Sequence, residues 1–257
     1  MWLNSNHVNK FNRVAFYLLS VALVSCSGFL PERESDEAAS IYLQLGIRYL
    51  NINNLPAAKE NLEMALKTDA DNMAVHIALA FLYEKLNKFD DARAQYERAT
   101  SLDPENLDLQ NNYGRFLCDR REYDKGMDLL TQASSNLLNQ TPWMALTNAG
   151  RCQLAMGDRS KAENYFNKAL QVNPNYPPLL QEMQKLSFQK SDYAAAREYL
   201  QRFLTVAEQS PVSLWIGIQT EAALGNEMLV KEYTDLLLEK FPYSNEAKQI
   251  KSTPRPR

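Results

Sequence analysis

The chain has 257 residues, of which 45% are hydrophobic and 23% charged, enough apolar material for a folded core. Its 28 basic and 31 acidic side chains give a net charge of -3, so the charge balance does not indicate a nucleic-acid partner. The eight glycines form no phosphate-binding motif, and two histidines are too few for most zinc sites and most histidine catalysis. We therefore expect no enzyme activity, no cofactor, no metal site and no small-molecule substrate.

The N-terminal segment has the pattern of an export signal. Lys10 and Arg13 precede an apolar run at 14–24 that contains one serine. This run is too short to cross a hydrocarbon layer of about 30 Å as a helix, but it fits the core of a secretory signal. The sequence therefore predicts a signal peptide over residues 1–25. A buried helix is the alternative.

A cysteine follows this signal directly. The sequence Leu-Val-Ser-Cys at 23–26 resembles the lipobox of bacterial lipoproteins, in which the signal is cut before the cysteine and the cysteine is acylated. The resemblance implies a lipid anchor at Cys26, and Ser27, where inner-membrane lipoproteins often carry Asp, implies the periplasmic face of the outer membrane. Residues 26–38 are expected to be the acylated cysteine and a polar tether. The alternative is an ordinary signal followed by a chance cysteine.

Small residues then recur with a fixed period. Gly46, Gly114 and Gly150 are each followed twelve residues later by a small residue, and Pro104 and Pro174 each close a unit. This spacing resembles the 34-residue tetratricopeptide repeat, which implies an all-α right-handed superhelix, or solenoid, of about six helix-turn-helix repeats. The predicted repeats are 39–72, 73–106, 107–142, 143–176, 177–210 and 211–244, followed by a helix end and flexible tail at 245–257.

The resemblance also predicts which side chains face a partner. In this repeat family the first helix of each repeat lines a concave groove. Carried over to this sequence, the groove positions include an apolar shelf and, in later repeats, Asn111 and a cationic step. The apolar shelf consists of Leu43, Ile47, Ile77 and Phe81, and the cationic step consists of Arg115 and Arg151. A peptide or helix is the expected ligand. Alternatively, the shelf packs against the tether or the last helix, and the arginines pair with Asp108 or Asp119.

Three residues remain that could carry chemistry. Cys118 and Cys152 lie in the first helices of adjacent repeats, and an exported protein meets an oxidising compartment, so a disulfide is possible if their Cα atoms lie within about 7 Å. Two buried thiols are the alternative. His76 occupies a place where a packing aromatic usually sits, so we expect a core residue.

Two stretches point to a particular family. The sequence NNYGRFLC at 111–118 resembles the third repeat of the type IV pilus biogenesis and stability lipoproteins, the PilF/PilW family, and 39–46 resembles its first repeat. The resemblance implies an outer-membrane scaffold that promotes localisation or multimerisation of the type IV pilus secretin, or stabilises the pilus. The implied partners are the secretin and, through acylated Cys26, outer-membrane lipid.

Two other classes remain open at this point. One is a different periplasmic tetratricopeptide lipoprotein adaptor, serving outer-membrane barrel assembly or cell-wall enzymes. The other is an enzyme, which would need a pocket of titratable groups that the sequence does not indicate.

Overall fold

The structure is a computed structural model that describes residues 32–252, with side chains from Glu37 onward. The predicted signal peptide, Cys26 and the last five residues of the predicted helix end and flexible tail at 245–257 lie outside the described residues. Within them the chain is all-α: thirteen helices and no strand. In chain order they are α1 Glu32–Asn51, α2 Leu55–Thr68, α3 Met73–Lys85, α4 Phe89–Leu102, α5 Leu107–Asp119, α6 Tyr123–Ser135, α7 Pro142–Met156, α8 Arg159–Val172, α9 Pro177–Gln189, α10 Tyr193–Val206, α11 Pro211–Ala223, α12 Glu227–Lys240 and α13 Asn245–Ser252.

The first twelve helices pair into six hairpins, as expected for tetratricopeptide repeats. The chain divides into two compact units: an N-terminal unit with α1–α4, ending at Leu102, and a C-terminal unit with α5–α13, starting at Asp103. None of the thirteen helices has an apolar stretch long enough to cross a membrane.

Two helix starts differ from the expected boundaries. Helix α1 begins at Glu32, so residues 32–38, which the sequence placed in the tether, are helical. This segment contains three Glu residues and lacks Gly and Pro, so its intrinsic propensity favours a helix. Helix α7 begins at Pro142, which the sequence had placed at the end of the third repeat; proline is favoured at the first helical position because it has no N–H group to leave unpaired.

Polar caps fix where many of the helices start. The Asn72 side chain accepts hydrogen bonds from the backbone N–H groups of Ala74 and Val75, and Asn106 accepts one from Leu109. Asp158 accepts from the Lys161 backbone N–H at 2.9 Å, and this hydrogen bond lowers the pKa of the Asp158 carboxyl. Each cap satisfies donors that the first helical turn would otherwise leave without a partner.

The turn inside each hairpin reverses on one residue with positive φ. These residues are Asn53, Asn87, Arg121, Gly157, Ser191 and Gly225. They recur every 34 residues except for the step from Arg121 to Gly157, which is two residues longer. Glycine and asparagine adopt this left-handed conformation most easily, whereas arginine and serine adopt it at a steric cost.

Small residues let the two helices of a hairpin approach closely. A Cβ atom at Gly150 would lie 2.3 Å from Cε1 of Phe166, so the aromatic ring fits only against a glycine. Phe166 is fully buried, as are Tyr96 and Leu62 at the equivalent place in other repeats. These contacts form the core of each hairpin. The side chains of the first helix that do not take part in them are available to contact a partner.

Candidate partner-binding surfaces

The apolar shelf lies in the N-terminal unit, on α1 and α3. Leu43 and Phe81 are half-buried and pack on the core of that unit, and the Phe81 ring meets the Tyr96 ring edge-on with centroids 6.4 Å apart. Ile77 is also half-buried. Ile47 is the accessible member, with 41% of its surface exposed. The shelf is therefore a partly buried apolar surface from which Ile47 projects.

The cationic step lies in the C-terminal unit, where α5 and α7 enclose a small pocket of about 250 Å³. Its lining consists of Arg115, Cys118, Asp119, Asn148, Arg151, Cys152 and Ala155. The pocket thus contains both predicted arginines and both cysteines. The predicted repeats place the arginines in adjacent repeats and the cysteines likewise, but the sequence did not predict that both pairs line one cavity.

Each arginine is held by a carboxylate. Arg115 donates from Nη1 to Oδ2 of Asp119 at 3.0 Å, which is the pairing considered as the alternative from sequence. Arg151 donates from Nε to Oε1 of Glu182 at 3.2 Å, a partner that the sequence analysis did not identify. The first pair is an exposed i,i+4 contact, a type that contributes only about 0.3–0.5 kcal/mol, so an incoming carboxylate could replace Asp119 at little cost.

Asn111 differs from its predicted role as an accessible groove residue. It is buried, with 5% of its surface exposed, and its Oδ1 accepts a hydrogen bond from Nδ2 of Asn148 at 2.9 Å. Asn148 in turn accepts from Nη1 of Arg151 at 3.4 Å. A polar network therefore runs from α5 through α7 to Glu182 on α9, in which Asn111 contacts Asn148 and Asn148 contacts the guanidinium of Arg151. Asn148 could have been found from sequence, since it lies one helical turn before Arg151 on the same face.

A disulfide closes one wall of this pocket. The structure joins Cys118 of α5 to Cys152 of α7, with Cα atoms 5.5 Å apart, inside the range that the bond requires. Both cysteines are buried. The link fixes the spacing between the two helices that carry Arg115 and Arg151.

His76 has the structural environment of a core residue. It is buried, and its ring nitrogens lie 2.7 Å from Oε1 of Gln95 and 3.0 Å from the carbonyl oxygen of Ala70. One ring nitrogen thus contacts α4, and the other contacts the loop that precedes α3. Across residues 37–252, whose side chains the structure describes, no three His, Cys, Asp or Glu side chains come together as a candidate metal site.

Comparison with known proteins agrees with this architecture. The hairpin frame is that of the tetratricopeptide-repeat class, and the family model described as tetratricopeptide repeat matches residues 73–106 and 143–176. The type IV pilus assembly protein PilF of Pseudomonas aeruginosa is 30% identical over 242 residues, covering 92% of this chain and 96% of that relative.

Two solved structures extend the likeness to three dimensions. A structure from the functional characterisation of P. aeruginosa PilF is 30% identical, covers 85% of this chain and 99% of the other, and gives a TM-score of 0.67. A crystal structure of PilW, described as a widely conserved type IV pilus biogenesis factor, is 28% identical. It covers 83% of this chain and 98% of the other and gives a TM-score of 0.69. This chain belongs to the PilF/PilW family of tetratricopeptide-repeat type IV pilus biogenesis proteins, which confirms the family predicted from residues 39–46 and 111–118.

Proposed function

We propose that this chain is a lipoprotein of the outer membrane, anchored on its periplasmic face through Cys26, that binds the type IV pilus secretin and promotes its localisation or multimerisation. The observation that carries the proposal is the match to a type IV pilus assembly protein over nearly the whole length of both chains. The lipobox-like sequence at 23–26 supports the anchor. The protein acts by holding a partner at the membrane rather than by catalysis.

The shelf and the cationic step supply two kinds of contact. Ile47 offers exposed apolar surface on the first helix, which a partner's aliphatic or aromatic side chain would remove from water. Arg115 and Arg151 offer charged donors, and Arg151 is held in position by Glu182 and Asn148. Positioned donors favour a partner carboxylate because less side-chain freedom is lost on binding.

The shelf contact is tested by Ile47→Asp in the full acylated chain. Ile47 is exposed, so the substitution should leave the fold intact, and we expect secretin recovery in a pull-down from envelope extracts to fall about tenfold or more. Ile52→Asp is the matched control, since Ile52 is 66% exposed and lies beyond the end of α1. Equal recovery with both variants would remove the shelf from the binding surface.

The partner itself is tested by the wild-type pull-down. Secretin recovered with the acylated protein supports the proposal. Recovery of barrel-assembly or cell-wall proteins without secretin contradicts it and favours a different envelope adaptor.

The anchor is tested by Cys26→Ala. We expect this variant to leave the membrane fraction and secretin multimers in the outer membrane to decrease, because the lipid supplies the location of the protein. Continued fractionation of Cys26→Ala with membranes would contradict the anchor.

A further inference from the structure

Another pocket lies between α5 and α7, toward the start of both helices, and its volume is about 490 Å³. Its lining consists of Asn106, Leu107, Asp108, Leu138, Asn139, Gln140, Thr141 and Met144. These residues belong to the first turns of α5 and α7 and to the connection that precedes α7. We call this cavity the loop pocket, and we call the cavity that contains Arg115 and Arg151 the arginine pocket.

The two pockets lie along one groove between α5 and α7. On each helix the lining side chains recur at spacings of three, four or seven residues, which place them on one face. They are Asp108, Arg115 and Asp119 on α5, and Met144, Asn148, Arg151 and Ala155 on α7. Between the pockets, the hydrogen bond from Asn148 to Asn111 joins the two helices. A ligand lying along the helices would therefore contact both pockets.

The groove is narrow and has a defined length. In the arginine pocket the Cα atoms of Cys118 and Cys152 are 5.5 Å apart, whereas a helix with its side chains is about 10–12 Å across. The groove therefore admits side chains of an extended ligand rather than a helix. Asp108 and Arg115 are seven residues apart on α5, a rise of about 10.5 Å, which an extended chain spans in about three residues.

The loop pocket is the acidic end of the groove. The described residues that line it include one acid, Asp108, and no base. Asp103 and Glu105 add two carboxylates in the segment just before α5. These three acids outweigh the positive dipole ends of α5 and α7, which amount to about half a charge each. The loop pocket therefore favours a cation.

The cationic step gives the arginine pocket the opposite balance. Its two arginines pair with Asp119 and Glu182, and Lys185 also binds Glu182, so three cations meet two carboxylates. Arg120 and Arg121 follow at the C-terminal end of α5 and offset the negative end of the helix dipole. This pocket therefore favours an anion.

The wall of the loop pocket suits a long cationic side chain. Three apolar side chains lie beside Asp108 in its lining: Leu107, Leu138 and Met144. Leu138 is 83% exposed, and its backbone N–H donates to Oδ1 of Asn136 at 2.9 Å, which holds the connection at this point. Lysine and arginine have an apolar stem and a charged head, so the stem can pack on this wall while the head reaches the carboxylate.

We propose that this groove binds an extended segment of the protein partner in which a lysine or arginine lies three residues from an aspartate or glutamate. The base enters the loop pocket and the acid enters the arginine pocket, because each pocket carries the opposite charge. The inference rests on the proposed function, which gives the chain a protein partner, and it specifies the segment that this partner presents.

Unlabelled peptides test the charges and their spacing without changing the protein. The probes are Gly-Gly-Lys-Leu-Ala-Glu-Gly-Gly and the same peptide with Lys and Glu exchanged, both blocked at their ends, titrated into the acylated chain by calorimetry. We expect at least one of them to bind. Replacing its Lys or its Glu by Gln should weaken binding about fivefold, the factor for one ion pair at the strong end of the exposed range.

The spacing is tested with a peptide of the same composition in which Lys and Glu are adjacent. Its charges cannot reach both pockets, so it should bind about fivefold more weakly. Equal binding of the two spacings overturns the proposal, and so does the absence of binding at about 1 mM peptide.

Asp108→Asn tests the loop pocket. It should weaken the peptide that carries Lys about fivefold and leave the peptide with Gln in place of Lys unchanged, because only the first has a cation for Asp108. Asp128→Asn is the matched control, since Asp128 is exposed on α6 and lines neither pocket. An equal loss for both peptides in Asp108→Asn would show that the substitution acts without contacting the base, and the assignment would be wrong.

The source of the anion is tested with a peptide in which a free C-terminal carboxylate takes the place of the Glu side chain. Weaker binding of this peptide supports an internal segment. Tighter binding would mean that the groove recognises a chain end, which overturns the proposal.

The two proposals fail separately. Peptide binding with the expected dependence on Asp108, but no secretin in the pull-down, refutes the secretin as partner and leaves the specificity of the groove in place. Equal recovery of secretin by the wild-type chain and by Asp108→Asn means that the partner does not use the loop pocket. That result overturns the inference and leaves the proposed function in place.

Discussion

The two units have the same repeat frame, but the side chains that they bury on the first helices of their repeats differ in polarity. In the N-terminal unit, His76 is the one buried polar side chain among the described residues. The C-terminal unit buries nine: Gln110, Asn111, Thr147, Gln153, Gln184, Ser187, Ser213, Thr220 and Glu221. The small and aromatic positions that join the two helices of a hairpin are alike in both units, so the frame sets the fold and the remaining positions are free to vary.

The C-terminal unit holds more of the buried directional contacts. Buried polar groups are costly unless they are hydrogen-bonded, and those that bond to a neighbouring helix fix the geometry between the two helices. In the C-terminal unit Gln184 donates to the Ser213 carbonyl oxygen at 3.1 Å, and Arg197 donates to the fully buried Glu221. That hydrogen bond raises the pKa of the Arg197 guanidinium. The C-terminal unit thus presents fixed polar groups, and the N-terminal unit presents apolar area.

The largest loss of stability is expected from substitutions in the core of the hairpins, which both units share. Phe166→Ala removes a fully buried ring and should lower the free energy of unfolding by about 3–5 kcal/mol, measured by urea denaturation. Leu79→Ala in the N-terminal unit should cost a similar amount, about 2–5 kcal/mol, because it too removes a core side chain. Leu137→Ala, at a fully exposed position, is the control and should be neutral. A neutral Phe166→Ala would refute the frame described above.

The next effect is confined to the C-terminal unit. Replacing both Cys118 and Cys152 with Ala opens a link between residues 34 apart and should cost about 3–4 kcal/mol in the chain-entropy model. Reductant should lower the stability of the wild-type protein by a similar amount and leave the double variant unchanged. Free thiols in protein purified without reductant would show that the bond does not form.

A smaller effect should follow from breaking the polar network. Asn111→Ala leaves the buried side of Asn148 without its partner and should cost about 1–3 kcal/mol in urea denaturation. A cycle with Asn148→Ala measures the coupling, expected at about 0.5–1.5 kcal/mol. Ile47→Asn is the comparison in the N-terminal unit and should stay within about 0.5 kcal/mol, since that side chain is exposed. Additive costs in the cycle would mean that the two amides do not interact.

The smallest effect on the free energy of unfolding is expected at alkaline pH. Burial raises the pKa of Tyr176, Tyr199 and Tyr233 in the C-terminal unit, and that of Tyr83 in the N-terminal unit. A phenol with a raised pKa in the fold stabilises the protein fully below its unfolded pKa of about 10, and this contribution is lost as pH rises through the folded pKa.

Urea midpoints measured from about pH 9 to about pH 11 test this expectation. Replacing the three C-terminal tyrosines with Phe should make the alkaline loss of stability shallower, and Tyr83→Phe should do so to a smaller extent. An unchanged slope in the triple variant would show that these phenols titrate as in the unfolded chain.

The sequence predicted the hairpin frame well because the frame depends on spacing. Gly150 and Phe166 lie at the offset that the repeat requires, and the close approach of the two follows from that offset. The start of α1 was missed because a polar stretch without apolar periodicity can be either a tether or the exposed beginning of a helix. Periodicity detects a buried face from the spacing of apolar residues, and the sequence of this segment contains no such spacing.

The candidate site was predicted only in outline. The repeat register placed Arg115 and Arg151 correctly in adjacent first helices, but it could not identify Glu182 as the partner of Arg151. That pairing depends on the rotamers of long side chains and on the register of the fifth repeat, whose motif is degenerate. Asn111 was predicted to be accessible because a repeat position gives a direction but not the neighbour that covers it.

The single left-handed residue in each hairpin turn has a consequence for how such a chain can change during evolution. Because the chain reverses on one residue, the turn cannot accommodate an inserted residue. An insertion there would rotate the second helix of the hairpin away from the first. The 36-residue step from Arg121 to Gly157 places the added length in the 136–141 connection instead. New side chains can thus be added in that connection without disturbing the packing of the hairpins.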